Sequence, residues 1–235
     1  MAPRRKLHIK RNTVIAIAVI AAILISTVAA VFTQIPRQSS ETTNKTGLNV
    51  GNTFTYNLTG SADLGTPDVT IPEELYQYND TEYYRVTVTS INGTQVLLST
   101  TWQFDNGTQI TRPQIIDLST GDRADANGFW AVYYSNLNVK DLLHPNGNDG
   151  LIVNSSATQT FGNASRIINS WSTESQFLNA SDTSGNTMRD VYVGVNFDKQ
   201  TGMLEKLTHI EFYTNPEIEM IITWQLTSSN VWNIG

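Results

Sequence analysis

The chain has 235 residues, 15 of them basic and 21 acidic, with a net charge of −6 and no cysteine. Without cysteine there can be no disulfide, no thiolate nucleophile and no Cys-ligated zinc, so the fold must rest on its core. Arg4, Arg5, Lys6, Lys10 and Arg11 precede every acid; taking these five from the fifteen leaves ten bases against twenty-one acids, about −11 for the rest of the chain, which suits neither nucleic acid nor anionic lipid headgroups.

Residues 13–32, opening at Thr13 and closing at Phe32, read TVIAIAVIAAILISTVAAVF and hold no charge. As a helix rising ~1.5 Å per residue the run spans about 30 Å, the thickness of a bilayer's hydrocarbon core. The basic leader, residues 1–12, stays cytoplasmic by the positive-inside rule and places the remainder outside the cell. A cleaved signal peptide is the alternative, since Val28, Ala29 and Ala30 offer small residues to a peptidase, although its apolar region is usually shorter. A pilin-like assembly helix is a third reading, but Asn12 stands where a small residue is usual. Residues 33–46 are polar, without periodicity, and read as a linker.

The body, residues 47–235, is long enough for one domain with a core of its own. Phe54, Tyr56 and Leu58 alternate with polar residues and predict a first strand over residues 52–59. Gly65, Pro67 and Pro72 make residues 61–79 an irregular excursion pinned by Leu75, Tyr76 and Tyr78. Tyr84, Val86 and Val88, then Val96, Leu98, Thr100, Trp102 and Phe104, then a strand from Ile110 to about Leu118, form a three-stranded meander. Its turns are signalled by Asn92-Gly93 and Asn106-Gly107.

Phe129, Tyr133 and Leu137 recur at spacing four with Trp130 beside them, which predicts a short helix over residues 127–143. Residues 144–150 are a loop, and strands are expected at 151–153, 157–161 and 166–171. Residues 172–185 are polar and read as another loop. The last third is a second meander. Val191, Val193, Val195 and Phe197 share a face, and Gly202 supplies the turn. Leu204, Ile210 and Phe212 follow, then Ile218, Met220, Ile222, Trp224 and Leu226 beyond Asn215-Pro216. The expected architecture is mainly β: a single antiparallel meander sheet of about nine strands, curled half-barrel-like over one short helix, or else a sandwich. The terminal strand is expected inside the sheet.

Two stretches carry a resemblance. The opening from Val50 to Tyr56, VGNTFTY, and the hairpin from Phe197 to Leu204, FDKQTGML, resemble archaeal surface proteins with a single N-terminal membrane anchor. The hairpin is also similar to turns in the half-barrel family of lipoprotein carriers. That second likeness implies a curled antiparallel sheet closed by helices and holding acyl chains; no functional residue of that family maps onto this chain.

Asn-x-Ser/Thr acceptors stand at Asn44, Asn57, Asn79, Asn92, Asn106, Asn154, Asn163 and Asn179, as suits a glycosylated outside domain. The lack of cysteine with this load points to an archaeal cell surface. Catalytic motifs are scarce: His8 lies in the leader, His144 in a loop, and His209 on the predicted wet face of a strand, and no nucleophile elbow is present. Asp122, Asp125 and Asn127 miss the EF-hand spacing, and Asn146, Asn148 and Asp149 read as turn chemistry. Glu73-Glu74 and the pair Glu217 and Glu219 read as solvated acids. Trp102, Phe104, Trp130, Tyr133 and Trp224 are candidates to line a pocket for a sugar or an acyl chain, with plain core as the competing assignment. No motif calls for a cofactor.

Three roles follow as expectations. The first is a non-enzymatic, membrane-anchored surface domain for structure or protein interaction. The second is a carrier of a lipid or other apolar ligand, and the third a surface glycan hydrolase.

Overall fold

The computed structural model describes residues 45–65, 70–71, 73–124, 130–178 and 188–234. The leader, the anchor, most of the linker, Asn44 and Asn179 lie outside these. Among the described residues no helix is long and apolar enough to cross a membrane.

The body is mainly β, with one ten-stranded antiparallel sheet that does not close on itself. β1 (Thr53–Leu64), β2 (Thr81–Asn92), β3 (Gln95–Phe104), β4 (Gln109–Asp117) and the two-residue β5 (Arg123–Ala124) step outward to one edge. The chain then crosses to the opposite edge. From there β6 (Ser155–Phe161), β7 (Ala164–Leu178), β8 (Met188–Asp198), β9 (Leu204–Thr214) and β10 (Glu217–Ser229) step back inward. β10 pairs with β1 from Leu64↔Ile218 to Phe54↔Ser229, so the terminal strand sits at the sheet's centre, as the alternation predicted.

The turns use glycine where a left-handed backbone is needed, though not as the Asn-Gly signal implied. Asn92 pairs with Gln95, so the two-residue loop is Gly93-Thr94, and only Gly93 takes positive φ, at 61°. That is the pattern of a loop with glycine first. At the second turn Gly107 N–H donates to Phe104 O and Gly107 itself sits at φ 84°. This makes a three-residue loop with a left-handed third residue.

The helix is not where the periodicity placed it. Residues 130–143 run as bends that bond to the ends of strands: Tyr133 N–H donates to Gly202 O and Leu204 N–H to Ala131 O. Asn136 at φ 59° and Lys140 at φ 77° break any helical path. Spacing four recurred because Tyr133 and Leu137 are both drawn inward by tertiary contacts. The helix is α1 (Glu73–Asn79), in the stretch read as an excursion. It follows Pro72, opens on two acids and packs Leu75 and Tyr78 over β1. Asn79 clasps Gly60 through both amide atoms, at 2.9 and 2.7 Å. Gly60 lets the helix close in, since a Cβ there would stand 2.9 Å from Leu75 O.

Two further expectations change. Leu151 to Val153 is not a strand; only the bridge Leu142↔Ile152 forms there. Residues 172–178, read as loop, continue β7 and pair with β8 through Leu178↔Met188. Residues 172–176 are polar on both faces, so periodicity carried no signal there, and backbone pairing with β8 makes the strand. Residues 179–185 of that predicted loop lie outside the described residues.

Candidate functional site

The five aromatic candidates fall into two separate clusters. Trp102 stacks on Phe104 at 4.8 Å between ring centres and lies 5.8 Å from Tyr78. Its indole N–H donates to Thr81 Oγ1 at 2.7 Å. Trp224 meets Tyr84 edge-on at 4.5 Å, with Tyr56 and Tyr78 each at 6.4 Å. Trp130 and Tyr133 belong to the crossing segment. Tyr133 stacks on Phe197 at 4.6 Å, and Trp171 and His144 each stand 6.3 Å away. Trp130 donates its N–H to Gly121 O at 2.7 Å. These are the separations of favourable aromatic pairs, so the rings pack on one another.

The histidines are better placed than the pattern suggested. His144 is only 1 % exposed, with Nδ1 2.5 Å from Asp149 Oδ2. Trp130 lies 5.1 Å from its ring, and a Cβ on Gly121 or Gly147 would collide with it. Asp149 also accepts from Leu151 N–H, so that oxygen-rich loop is using its oxygens as turn chemistry.

His209 faces inward, not to the wet side. The cause is a bulge: Phe197 pairs with Leu204 but Asn196 with Lys206, leaving Glu205 as the extra residue. One inserted residue inverts the alternation beyond it. Leu207, His209, Glu211 and Tyr213 therefore share the inner face, while Ile210 and Phe212 turn outward.

The bulge assembles an ionisable cluster that the sequence did not suggest. His209 Nε2 lies 2.8 Å from Glu211 Oε1, and Tyr213 donates its hydroxyl to Glu211 Oε2 at 2.5 Å. Arg189 Nη1 stands 3.7 Å from the same oxygen, and its guanidinium lies 4.9 Å from the Phe177 ring centre. In register, Glu211 is flanked by Val191 and Met220. Burial alone would push the Glu211 carboxyl up. The hydrogen bonds from His209 and Tyr213, and the Arg189 charge, outweigh it and hold the group below its usual value. Burial, the bond to Glu211 and its charge push the Tyr213 hydroxyl up. Burial, with Glu211 nearby, does the same for Tyr78.

A carboxylate with two hydrogen-bond donors, a guanidinium beside it and a depressed pKa is a weak base. The cluster is better suited to holding charge in an apolar wall than to moving a proton. Arg189 Nε and Nη1 are buried without a hydrogen-bond partner, and the guanidinium charge is met by Glu211 as an ion pair. Among the described residues no group of three or more His, Asp or Glu side chains could hold a metal ion.

The glycosylation acceptors differ in availability. Asn57, Asn92, Asn106, Asn154 and Asn163 are exposed. Asn79 is exposed too, but its Nδ2, the atom a sugar would need, is already bonded to Gly60 O. Comparison with protein-family models finds no match, and comparison with curated proteins finds none either.

Proposed function

We propose that the protein is a membrane-anchored extracytoplasmic domain of an archaeal cell surface, acting through structure or protein interaction rather than catalysis. Residues 13–32 are its transmembrane helix, residues 1–12 stay in the cytoplasm, and the body is a glycoprotein domain whose sheet curls like a half-barrel. The observation that carries the non-catalytic reading is the state of the candidate side chains. The aromatic residues are spent on one another, and the one carboxylate of the inner cluster is engaged by two hydrogen bonds and an ion pair. The polar outer face, the uncharged anchor and the basic leader support the placement.

A carrier of an amphipathic ligand is the second reading. What favours it is the open end of the inner face, where Ala62, Leu64, Trp102, Phe104 and Val193 are only partly covered. Native mass spectrometry of the full chain from its own membrane separates the two. The expected result is the polypeptide mass plus sugar only. An added mass that organic solvent removes would overturn the first reading in favour of the carrier.

A further inference from the structure

The outer face of the sheet holds a surface pocket of about 360 Å³, built across β7, β8 and β9. That volume lies within the usual range for small-molecule sites. It is independent of the inner cluster, because it uses the opposite set of alternating residues. Gly194 forms its floor, paired with Ser172 on one side and Thr208 on the other. The Tyr192 ring leans along β8 over this glycine: a Cβ at Gly194 would stand 2.7 Å from the Tyr192 hydroxyl and about as close to the ring. Glycine here is what lets an aromatic lie flat on the sheet, the arrangement in which an aromatic covers a strand glycine.

The polar groups are arranged and partly free. Ser170 donates to Asn196 Oδ1 at 2.8 Å, which leaves the Asn196 amide N–H groups pointing elsewhere. Asn154 Oδ1 accepts from Ser172 N–H at 2.7 Å. Lys206 lines the pocket, and its side chain makes no ion pair or hydrogen bond among the described residues. No carboxylate lines the pocket. Of the acids around it, Glu174 pairs in register with Tyr192, Asp198 is engaged by Arg166 at 2.7 and 2.8 Å, and Glu205, beside Lys206 in the chain, accepts from the Gln225 amide at 2.7 Å. In a body with about twice as many acids as bases, a pocket walled by hydroxyls, amides, one flat ring and one unpaired lysine selects against cations.

We infer that this pocket binds an acidic sugar. The Tyr192 ring would face the sugar's apolar side, Asn196 and the serine hydroxyls would meet its hydroxyl groups, and Lys206 would pair with its carboxylate. Each contact matches one group of the pocket to one group of the ligand.

The test is titration of the full chain in lipid nanodiscs by ligand-observed NMR, with glucuronic acid, glucose and inorganic phosphate as the three probes. Glucuronic acid is expected to bind with a Kd in the millimolar range, and glucose about tenfold more weakly, the factor one lost charge-assisted contact commonly makes. Lys206→Met should abolish the preference for the acid. Gly194→Val should block the pocket by displacing Tyr192, with an unchanged melting temperature showing the fold intact. Equal binding of phosphate would reduce the pocket to a general anion site and overturn the inference. So would undetectable binding of glucuronic acid, or binding indifferent to both substitutions.

Discussion

The inner face has two ends made by the same strands with the same alternation, yet they differ in what covers them. At one end lie Phe54, Val86, Val96, Ile116, Phe197 and Leu204, all fully buried. There the crossing segment lays Ala131, Val132, Tyr133, Leu143 and Val153 over the sheet, all buried as well. At the other end Met220 and Ile222 are each 8 % exposed, Trp102 and Phe104 are partly open, and a His–Glu–Tyr–Arg cluster sits among them. Apolar patterning decides which face is inner. It does not decide whether that face is sealed. Sealing comes from a segment that reaches across from one edge of the sheet to the other.

Truncation should expose this difference most strongly. Phe197→Ala at the sealed end is expected to cost about 3–5 kcal/mol, since the packed surroundings cannot collapse into the space. Met220→Ala at the open end should fall at or below the lower end of the ~2–5 kcal/mol range for such changes, because its site can relax toward solvent. Denaturant unfolding of both variants measures this. Equal losses would mean that the two ends are packed alike.

The next effect is pH dependence at the open end. Glu211 is held below its ordinary pKa, so its bonds contribute fully above the ordinary glutamate value of about 4.3 and are lost as pH falls through the folded value. Glu211→Gln should therefore cost ~1–3 kcal/mol at neutral pH, and the gap to the parent should narrow on acidification. At the alkaline side the sign reverses for Tyr213, whose hydroxyl is raised. Its contribution is complete below about 10, the ordinary tyrosine value, and fades as pH rises beyond it. Melting temperatures of parent, Glu211→Gln and Tyr213→Phe across pH check both limbs. A gap that stayed constant with pH would show that the cluster carries no charge coupling.

The smallest effect concerns the surface. Asn79 is the acceptor whose Nδ2 serves the fold, so glycopeptide mapping should find it empty while Asn57 and Asn163 carry sugar. Its replacement by Ala should loosen α1 by about 1–2 kcal/mol, the worth of its two exposed hydrogen bonds to Gly60. Full occupancy at Asn79 would show that the Gly60 clasp opens in the cell.

Much of the fold was legible because strand alternation and turn glycines are local signals. Both meanders, the inner position of the last strand and the Gly202 hairpin could be read directly. The candidate site could not. His209, Glu211 and Tyr213 alternate onto one face unaided, but that face is the inner one, beside Arg189, only because Glu205 bulges, and one extra residue in a ladder leaves no mark in the apolar pattern. The misplaced helix has a similar cause: Tyr133 is buried against Trp171 on β7 and Phe197 on β8, and Leu137 is half-buried against the core, neither of them by a helical repeat of its own.

By itself, then, the sequence determined a cysteine-free antiparallel β body, its strand faces and most of its turns, because these depend on neighbours one or two residues away. Tertiary structure alone decided which end of the inner face is sealed, which residues gather at the open end, and that Tyr192 lies over Gly194 beside an unpaired Lys206. Those outcomes depend on register between distant strands and on a crossing segment whose place is set by the whole sheet.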